Sequence, residues 1–257
     1  MSAVPEPVLA AFDVGGRPEP LSGGMGQSVR VGDVVLKPAG DETEASWLAQ
    51  LQHDLRPVGL RTPRPRRAAD GRWVVDGWSA TAYLAGDGRP GRWADTMAAG
   101  RALHAALRAE PRPELLDRRT HRWAVADRVA WGEATADLGP VGERLTARRR
   151  PLDLPRQLVH CDLSGNVLFH ESEPPVVIDL SLYWRPPPYA EAIVAVDAFL
   201  WYDAEPGVLD LVEHGDATQL LVRAAVFRLC TDLSPAHLGE RTPIAAFERL
   251  VDLLAAR

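Results

Sequence analysis

The stretch Leu158-Val159-His160-Cys161-Asp162-Leu163-Ser164-Gly165-Asn166-Val167-Leu168-Phe169, continuing to Val176-Val177-Ile178-Asp179-Leu180, gathers more potential chemistry than any other part of this 257-residue chain. Two short apolar runs, Val167 to Phe169 and Val176 to Ile178, read as the strands of a hairpin. Asp162 and Asn166 precede the first run and Asp179 ends the second. A hairpin brings these three side chains together, and two carboxylates beside an amide make a hard-oxygen set suited to magnesium. Phosphoryl transfer calls for such a set: one Asp to accept a hydroxyl proton, and an Asn and an Asp to hold the metal that neutralises phosphate charge. The competing account is a polar turn whose Asp and Asn serve local backbone hydrogen bonds.

Composition supplies a second clue. Of the 29 basic residues, 28 are Arg and one is Lys37. A chain that uses Arg wherever either cation serves places Lys37 where Arg will not do. It follows the strand-like Val34-Val35-Leu36, where a compact ammonium on a flexible stem reaches phosphate oxygens as a point charge. A surface lysine kept by chance is the other reading.

Upstream lies Leu21-Ser22-Gly23-Gly24-Met25-Gly26-Gln27-Ser28, followed by Val29-Arg30-Val31-Gly32-Asp33. Gly23, Gly24 and Gly26 let backbone amides approach phosphates, and with Ser28 they form the candidate cover of a nucleotide; ordinary turn chemistry explains the same residues. No Gly-Lys-Ser/Thr run opens a helix, so the loop is not a P-loop. Asp41 to Leu55 has helical spacing, with Trp47, Leu48, Leu51 and Leu55 on one face. Glu44 shares that face, and an inward Glu needs a cation. Lys37 is the expected partner; Glu42 competes for the role, and either Glu also suits the first turn of a helix.

The order of parts, a Gly-rich loop, a strand Lys, a helix Glu, a His-x-Asp loop with Asn and an Asp closing the next strand, resembles the aminoglycoside phosphotransferase and choline kinase family. The resemblance runs from about Leu21 to Asp197. It implies an α+β, two-lobed protein-kinase-like fold, with a small β-rich lobe over residues 1–84 that binds nucleotide and a larger, mainly helical lobe over residues 85–257 for catalysis and acceptor binding. By that resemblance Asp162 is the catalytic base, Asn166 and Asp179 hold magnesium, Lys37 binds phosphate and Glu44 is its partner. His160 shapes the loop. Tyr83 and Leu84 fall in the hinge, Ala82 to Gly86, whose backbone meets the purine of ATP or GTP. Two departures stand out: Cys161 replaces the family's usual Gly, and four steps rather than five separate Asp162 from Asn166. One residue fewer is about 3.3 Å of extended chain. Either the loop takes a tighter path or the second metal ligand is imperfect.

Elsewhere, Trp73 to Val75 and Trp78 to Leu84 read as strands joined by an Asp76-Gly77 turn, and Thr96 to Leu107 and Arg122 to Trp131 as helices. His104 reads as a packing residue. Tyr189 to Tyr202 is apolar almost all round, so Asp197 within it must be paired; by the resemblance such an Asp anchors the backbone of the catalytic loop. Helices over about 217–229 and 243–256 close the chain.

Hydrophobic content of 46% and charged content of 25% are those of an ordinary globular protein. There is no basic-then-apolar start and no apolar run of about 18 residues, which points to the cytoplasm and away from a membrane. Two cysteines make neither a disulfide framework nor a zinc site. The net charge is −6, and from Arg185 onward eleven acidic residues face six basic ones. The run Asp203, Glu205, Asp210, Glu213 and Asp216 is either a solvated face or a surface for a cationic acceptor. Arginine clusters at residues 61–67, 118–122 and 148–150 lack aromatic interleaving, so nucleic acid is not an expected partner. The expected activity is metal-dependent transfer of a nucleotide γ-phosphate to a small-molecule hydroxyl. The alternative is a nucleotide-binding regulator that keeps the fold without turnover.

Overall fold

The computed structural model describes residues 4–21, 27–237 and 240–257. The elements begin with helix α1 (Glu6–Ala11), strands β1 (Glu19–Pro20), β2 (Val29–Val31) and β3 (Val34–Pro38), and helix α2 (Glu42–Asp54). Strands β4 (Pro65–Arg66), β5 (Val74–Val75) and β6 (Trp78–Ala82) follow, then helices α3 (Trp93–Leu107), α4 (Leu115–Arg118), α5 (Arg122–Ala130) and α6 (Gly139–Thr146). The remainder is β7 (Gln157–His160), β8 (Val167–Leu168), β9 (Val176–Val177), β10 (Leu182–Arg185), α7 (Pro187–Trp201), a 3-10 turn (Pro206–Leu211), α8 (Ala217–Leu233) and α9 (Ile244–Ala255).

The chain divides into two compact units: Met1–Gly88 with Gly165–Leu180, and Arg89–Ser164 with Ser181–Arg257. This differs from a division at 84/85 in two ways. The hairpin of β8 and β9 belongs with the first unit because its backbone is bonded there: Arg61 N–H donates to Pro175 O at 2.8 Å, and Val177 N–H to Arg61 O at 2.9 Å. The segment after β6 stays with that unit as far as Gly88, because Asp87 and Phe169 exchange both backbone bonds, at 2.8 and 2.9 Å. Glycine at 86 permits this approach, since a Cβ there would lie 2.7 Å from Leu168 Cβ.

In the first unit an antiparallel sheet runs in the order β1-β2-β3-β6-β4, with β5 also on β6. Asp76 and Gly77 both take positive φ (47° and 74°) in the two-residue link between β5 and β6, the conformation an Asp-Gly hairpin turn demands. One face of the sheet carries Val29, Val31, Val34, Leu36 and Ala80 into a core closed by Val8 and Phe12, from α1 and its end. Helix α1 has no strong periodic signal and was not expected; prolines at its start and Val8 packed on the sheet account for it. Helix α2 is capped by the Asp41 carboxylate, which accepts from Glu44 N–H at 2.9 Å. Its buried residues are Ala49, Leu51 and Gln52, while Trp47 and Leu48 stay only partly covered. Leu51 and Leu55 of the expected stripe are buried, and Gln52 joins them, its amide donating to Pro63 O at 2.6 Å.

The second unit is built on α7 and α8. Ten of the 15 residues of α7 and 13 of the 17 of α8 are buried, so both are enclosed on nearly every side. The antiparallel pair β7–β10, with Leu182 opposite His160 and Arg185 opposite Gln157, lies with them. Among the described residues no helix is long and apolar enough to cross a membrane.

Candidate active site

In the first unit, Lys37 lies on β3 opposite Ser79 of β6. Its ammonium forms an ion pair with the Asp179 carboxylate. The sequence predicts Glu44 as the partner of Lys37, whereas its ion pair is with Asp179. Glu44 occupies the first turn of α2 above the Asp41 cap, and Glu42 accepts Gly77 N–H at 3.0 Å. Asp179 follows β9 with φ of 50°, a left-handed backbone that Asp tolerates better than most residues. The hairpin expected from the two apolar runs is present, with Val167 opposite Val177 and Leu168 opposite Val176. It continues one step further, Ile178 N–H donating to Asn166 O at 2.9 Å. Asn166 and Asp179 therefore sit at the same end of the ladder.

Gly23, Gly24 and Gly26 lie outside the described residues. Ser28 closes the base of that loop, its carbonyl accepting Leu21 N–H at 3.0 Å. Tyr83 N–H is engaged with Asp33 O at 2.7 Å, and the Arg30 guanidinium lies over the Tyr83 ring at 3.8 Å. Leu84 follows, half-buried, between that attachment and the Asp87–Phe169 pair.

In the second unit, the loop after β7 is held from inside. His160 Nδ1 accepts the backbone N–H groups of Asp162 and Ser181, both at 3.3 Å, the shaping role expected of this residue. His160 N–H in turn donates to His104 Nε2 at 3.0 Å, so His104 is a bonded support and not only packing. Burial, then the neighbouring His160, hold the His104 imidazole down to a pKa of about 3, and it stays neutral. Cys161 is buried with its N–H on Ser181 O at 3.0 Å, and burial pushes its thiol well above the ordinary range, so it is an inert substitute for Gly. The shortened loop turns tightly at Gly165, whose φ of 78° suits glycine.

Asp162 is bound from the core. Arg228 of α8 donates through Nη2 to Asp162 Oδ1 at 3.1 Å, and through Nε and Nη2 to the two oxygens of Asp197, each at 2.7 Å. Asp197, fully buried on α7, was expected to need a partner, and Arg228 is it. Burial raises the Asp197 carboxyl despite the charge of Arg228. Arg228 itself was missed. The available signal was the one already used for Asp197: a charge inside an apolar helix, Val226-Phe227-Arg228-Leu229, needs a buried counter-charge. Near it, the half-exposed Tyr202 lies in the field of the same carboxylates: its phenol is raised by burial, then by Asp197 and Asp162. Tyr202 also packs on Trp93, with ring centroids 5.1 Å apart.

Asp210 of the acidic run binds Arg257 at 2.6 Å. Arg61 pairs with Glu173, Arg64 donates to His53 O, Arg66 to Asp13 O and Arg67 to Gly71 O, which employs that cluster inside the first unit. A cavity of about 170 Å³ in the second unit surrounds Arg185, Asp127 and Glu133 at the far end of β7–β10 from Asp162, and none of the expected site residues lines it.

The first unit thus holds Lys37, Asp179 and Asn166 near one another, and the second holds Asp162 bound to Arg228. Among solved structures, choline kinase LicA from Streptococcus pneumoniae matches with a TM-score of 0.60 at 13% identity, covering 98% of each chain. Spectinomycin phosphotransferase APH(9)-Ia, in complex with ADP and spectinomycin, matches at 0.58 and 14%, covering 98% of this chain and 96% of that one. A choline/ethanolamine kinase family protein from Mesorhizobium loti matches at 0.57 and 19%, covering 96% and 90%. At such identities the likeness carries the fold, which is kinase-like and α+β. No curated protein matches the chain in sequence. The family model described as phosphotransferase enzyme family matches residues 19–227, spanning the lysine strand, the His-x-Asp loop and the Asp179 strand, and the chain belongs to that family.

Proposed function

We propose that the protein transfers the γ-phosphate of a purine nucleotide, ATP or GTP, to a hydroxyl of a small molecule with the help of magnesium. The observation that carries this reading is the Lys37–Asp179 pair beside Asn166, which joins the chain's single lysine to a carboxylate and an amide at one end of a short ladder. The donor set fits magnesium. No group of three or more His, Cys, Asp or Glu side chains among the described residues is set to enclose a metal. Magnesium needs no such cage, because it is usually held by one or two carboxylates together with phosphate and water. Asp179 and Asn166 would hold it, and it would neutralise charge on the phosphate oxygens.

Lys37 binds phosphate in this reading, with Glu44 as its support, and Gly23, Gly24, Gly26 and Ser28 are proposed to contact the nucleotide. The backbone at Tyr83 and Leu84 meets the purine; since Tyr83 N–H is spent on Asp33, Leu84 is the better donor there. Asp162 takes the acceptor's proton while the acceptor oxygen bonds to the γ-phosphorus, the bond to the bridging oxygen breaks and the nucleoside diphosphate leaves. The likeness to a phosphotransferase in complex with ADP supports a nucleotide donor. The Tyr202 ring, packed on Trp93 and lying in the field of Asp197 and Asp162, supports a cationic acceptor, because an ammonium is attracted to aromatic faces and to carboxylates.

The test is nucleotide consumption with magnesium across amino sugars, aminoglycosides, amino alcohols and nucleosides. Acceptor-dependent release of nucleoside diphosphate is the expected result. Tight binding of magnesium nucleotide without transfer to any acceptor or to water would decide for a regulator.

A further inference from the structure

One guanidinium serves two carboxylates of very different standing. Arg228 has a side chain 4% exposed, and Asp197 is fully buried; together they satisfy the need of a buried cation for a buried anion. That pairing is complete in itself, with Nε and Nη2 on the two oxygens of Asp197. The remaining bond, from Nη2 to Asp162 Oδ1, goes to a side chain that is 47% exposed and solvated in any case. Little stability follows from it, since water competes for the half-exposed carboxylate. Its consequence is geometric. Asp162 stands on a loop, and the bond ties its Oδ1 to a buried guanidinium. The guanidinium is itself immobilised, with its Cζ 4.9 Å from the ring centroids of both Trp201 and Phe227. Because the chain uses arginine almost everywhere, the residue type alone says nothing; the shared Nη2 does.

We infer that Arg228 is a positioning residue for the transfer reaction: anchored on Asp197, it holds the Asp162 carboxylate in the orientation from which it accepts the proton of the acceptor hydroxyl. This rests on the phosphotransferase reading above. Lysine is the discriminating replacement, because an ammonium keeps the charge Asp197 needs but lacks a planar fork to reach both carboxylates.

The experiment compares the full-length wild type with Arg228→Lys, each checked for cooperative thermal unfolding, by steady-state kinetics and by hydrogen exchange of the amides of residues 161–164. In a folded Arg228→Lys protein kcat should fall on the order of 100-fold, as for a base displaced by about 1 Å, with KM for nucleotide unchanged. The loop amides should exchange faster, while those of α7 and α8 keep their protection. Arg228→Gln, which lacks the charge as well, should lose stability in addition. Wild-type kcat in folded Arg228→Lys overturns the inference. If the wild type itself shows no transfer, the phosphotransferase reading fails separately, and the exchange data still decide: faster loop exchange supports positioning by Arg228, and unchanged exchange overturns it.

Discussion

Lys37 gives its ammonium to Asp179, a residue 142 positions later in the chain. Both side chains are more than 40% exposed, so the pair contributes about 0–1 kcal/mol to folding. The contact is weak in stability and is made by the one lysine among 29 basic residues, which the proposed function assigns to phosphate. Lys37→Met should leave the unfolding midpoint nearly unchanged. It should weaken nucleotide binding by about 1.5–3 kcal/mol, the worth of a hydrogen bond to a charged group. Calorimetry with magnesium nucleotide measures this, and an unaltered affinity would remove Lys37 from the site.

Asp162 and Asp179 should fail differently. In Asp162→Asn the side-chain oxygen still accepts from Arg228, so the change isolates the loss of basicity. Transfer should vanish while nucleotide affinity holds. Asp179→Asn removes the charge proposed to hold magnesium and the partner of Lys37, so both transfer and nucleotide affinity should drop. Parallel calorimetry and turnover assays separate the two, and equal nucleotide affinity in both variants would contradict the assignment of Asp179.

His104 makes stability depend on pH. Its pKa is about 3 in the folded protein against 6.5 as a free side chain, so the unfolded chain binds the proton more readily. The neutral ring's contribution is fully present above pH 6.5 and is lost as pH falls toward 3, at about 1.4 kcal/mol per unit. Between pH 6.5 and 5 the wild type should therefore lose about 2 kcal/mol more than His104→Gln, whose amide oxygen can still accept His160 N–H. Urea unfolding at the two pH values gives the comparison, and parallel losses in both proteins would show that His104 is not the titrating group.

Arg185 should matter to folding and not to nucleotide binding. It is buried, and it bonds both oxygens of the buried Asp127, at 2.6 to 3.0 Å, and both of Glu133, at 2.7 Å. Burial raises the Asp127 carboxyl even with Arg185 beside it. Arg185→Met strands that carboxylate in the interior and should cost about 3–5 kcal/mol. Asp127→Asn in the same chain should recover part of the loss. A urea midpoint within 1 kcal/mol of wild type, on the order of ordinary surface substitutions, would count against the pairing.

The sequence alone determined the parts whose physics is local. The β8–β9 hairpin follows from two apolar runs, the Asp76-Gly77 turn from a dipeptide suited to positive φ, and the buried helix α7 from a face-free apolar pattern. The need of Asp197 for a partner was equally legible, because a buried carboxylate cannot stand alone. The order of Lys37, Asp162, Asn166 and Asp179 was enough to reach the family, since motif order is carried by the chain itself and needs no packing to be read.

Partnerships between residues distant in the chain were decided only by tertiary structure. That Lys37 meets Asp179, that Arg228 is the counter-charge of Asp197 and reaches Asp162, and that His104 supports His160 all depend on which elements pack together, and no spacing rule encodes that. The same holds for the hairpin's place in the first unit, set by backbone bonds to Arg61 and Asp87. Side-chain periodicity reports which face of an element is apolar; it says nothing about the neighbour that face will meet. In α2 the expected face is half fulfilled, Leu51 and Leu55 being buried and Trp47 and Leu48 only partly covered, while the burial of Gln52 depends on a distant acceptor, Pro63 O.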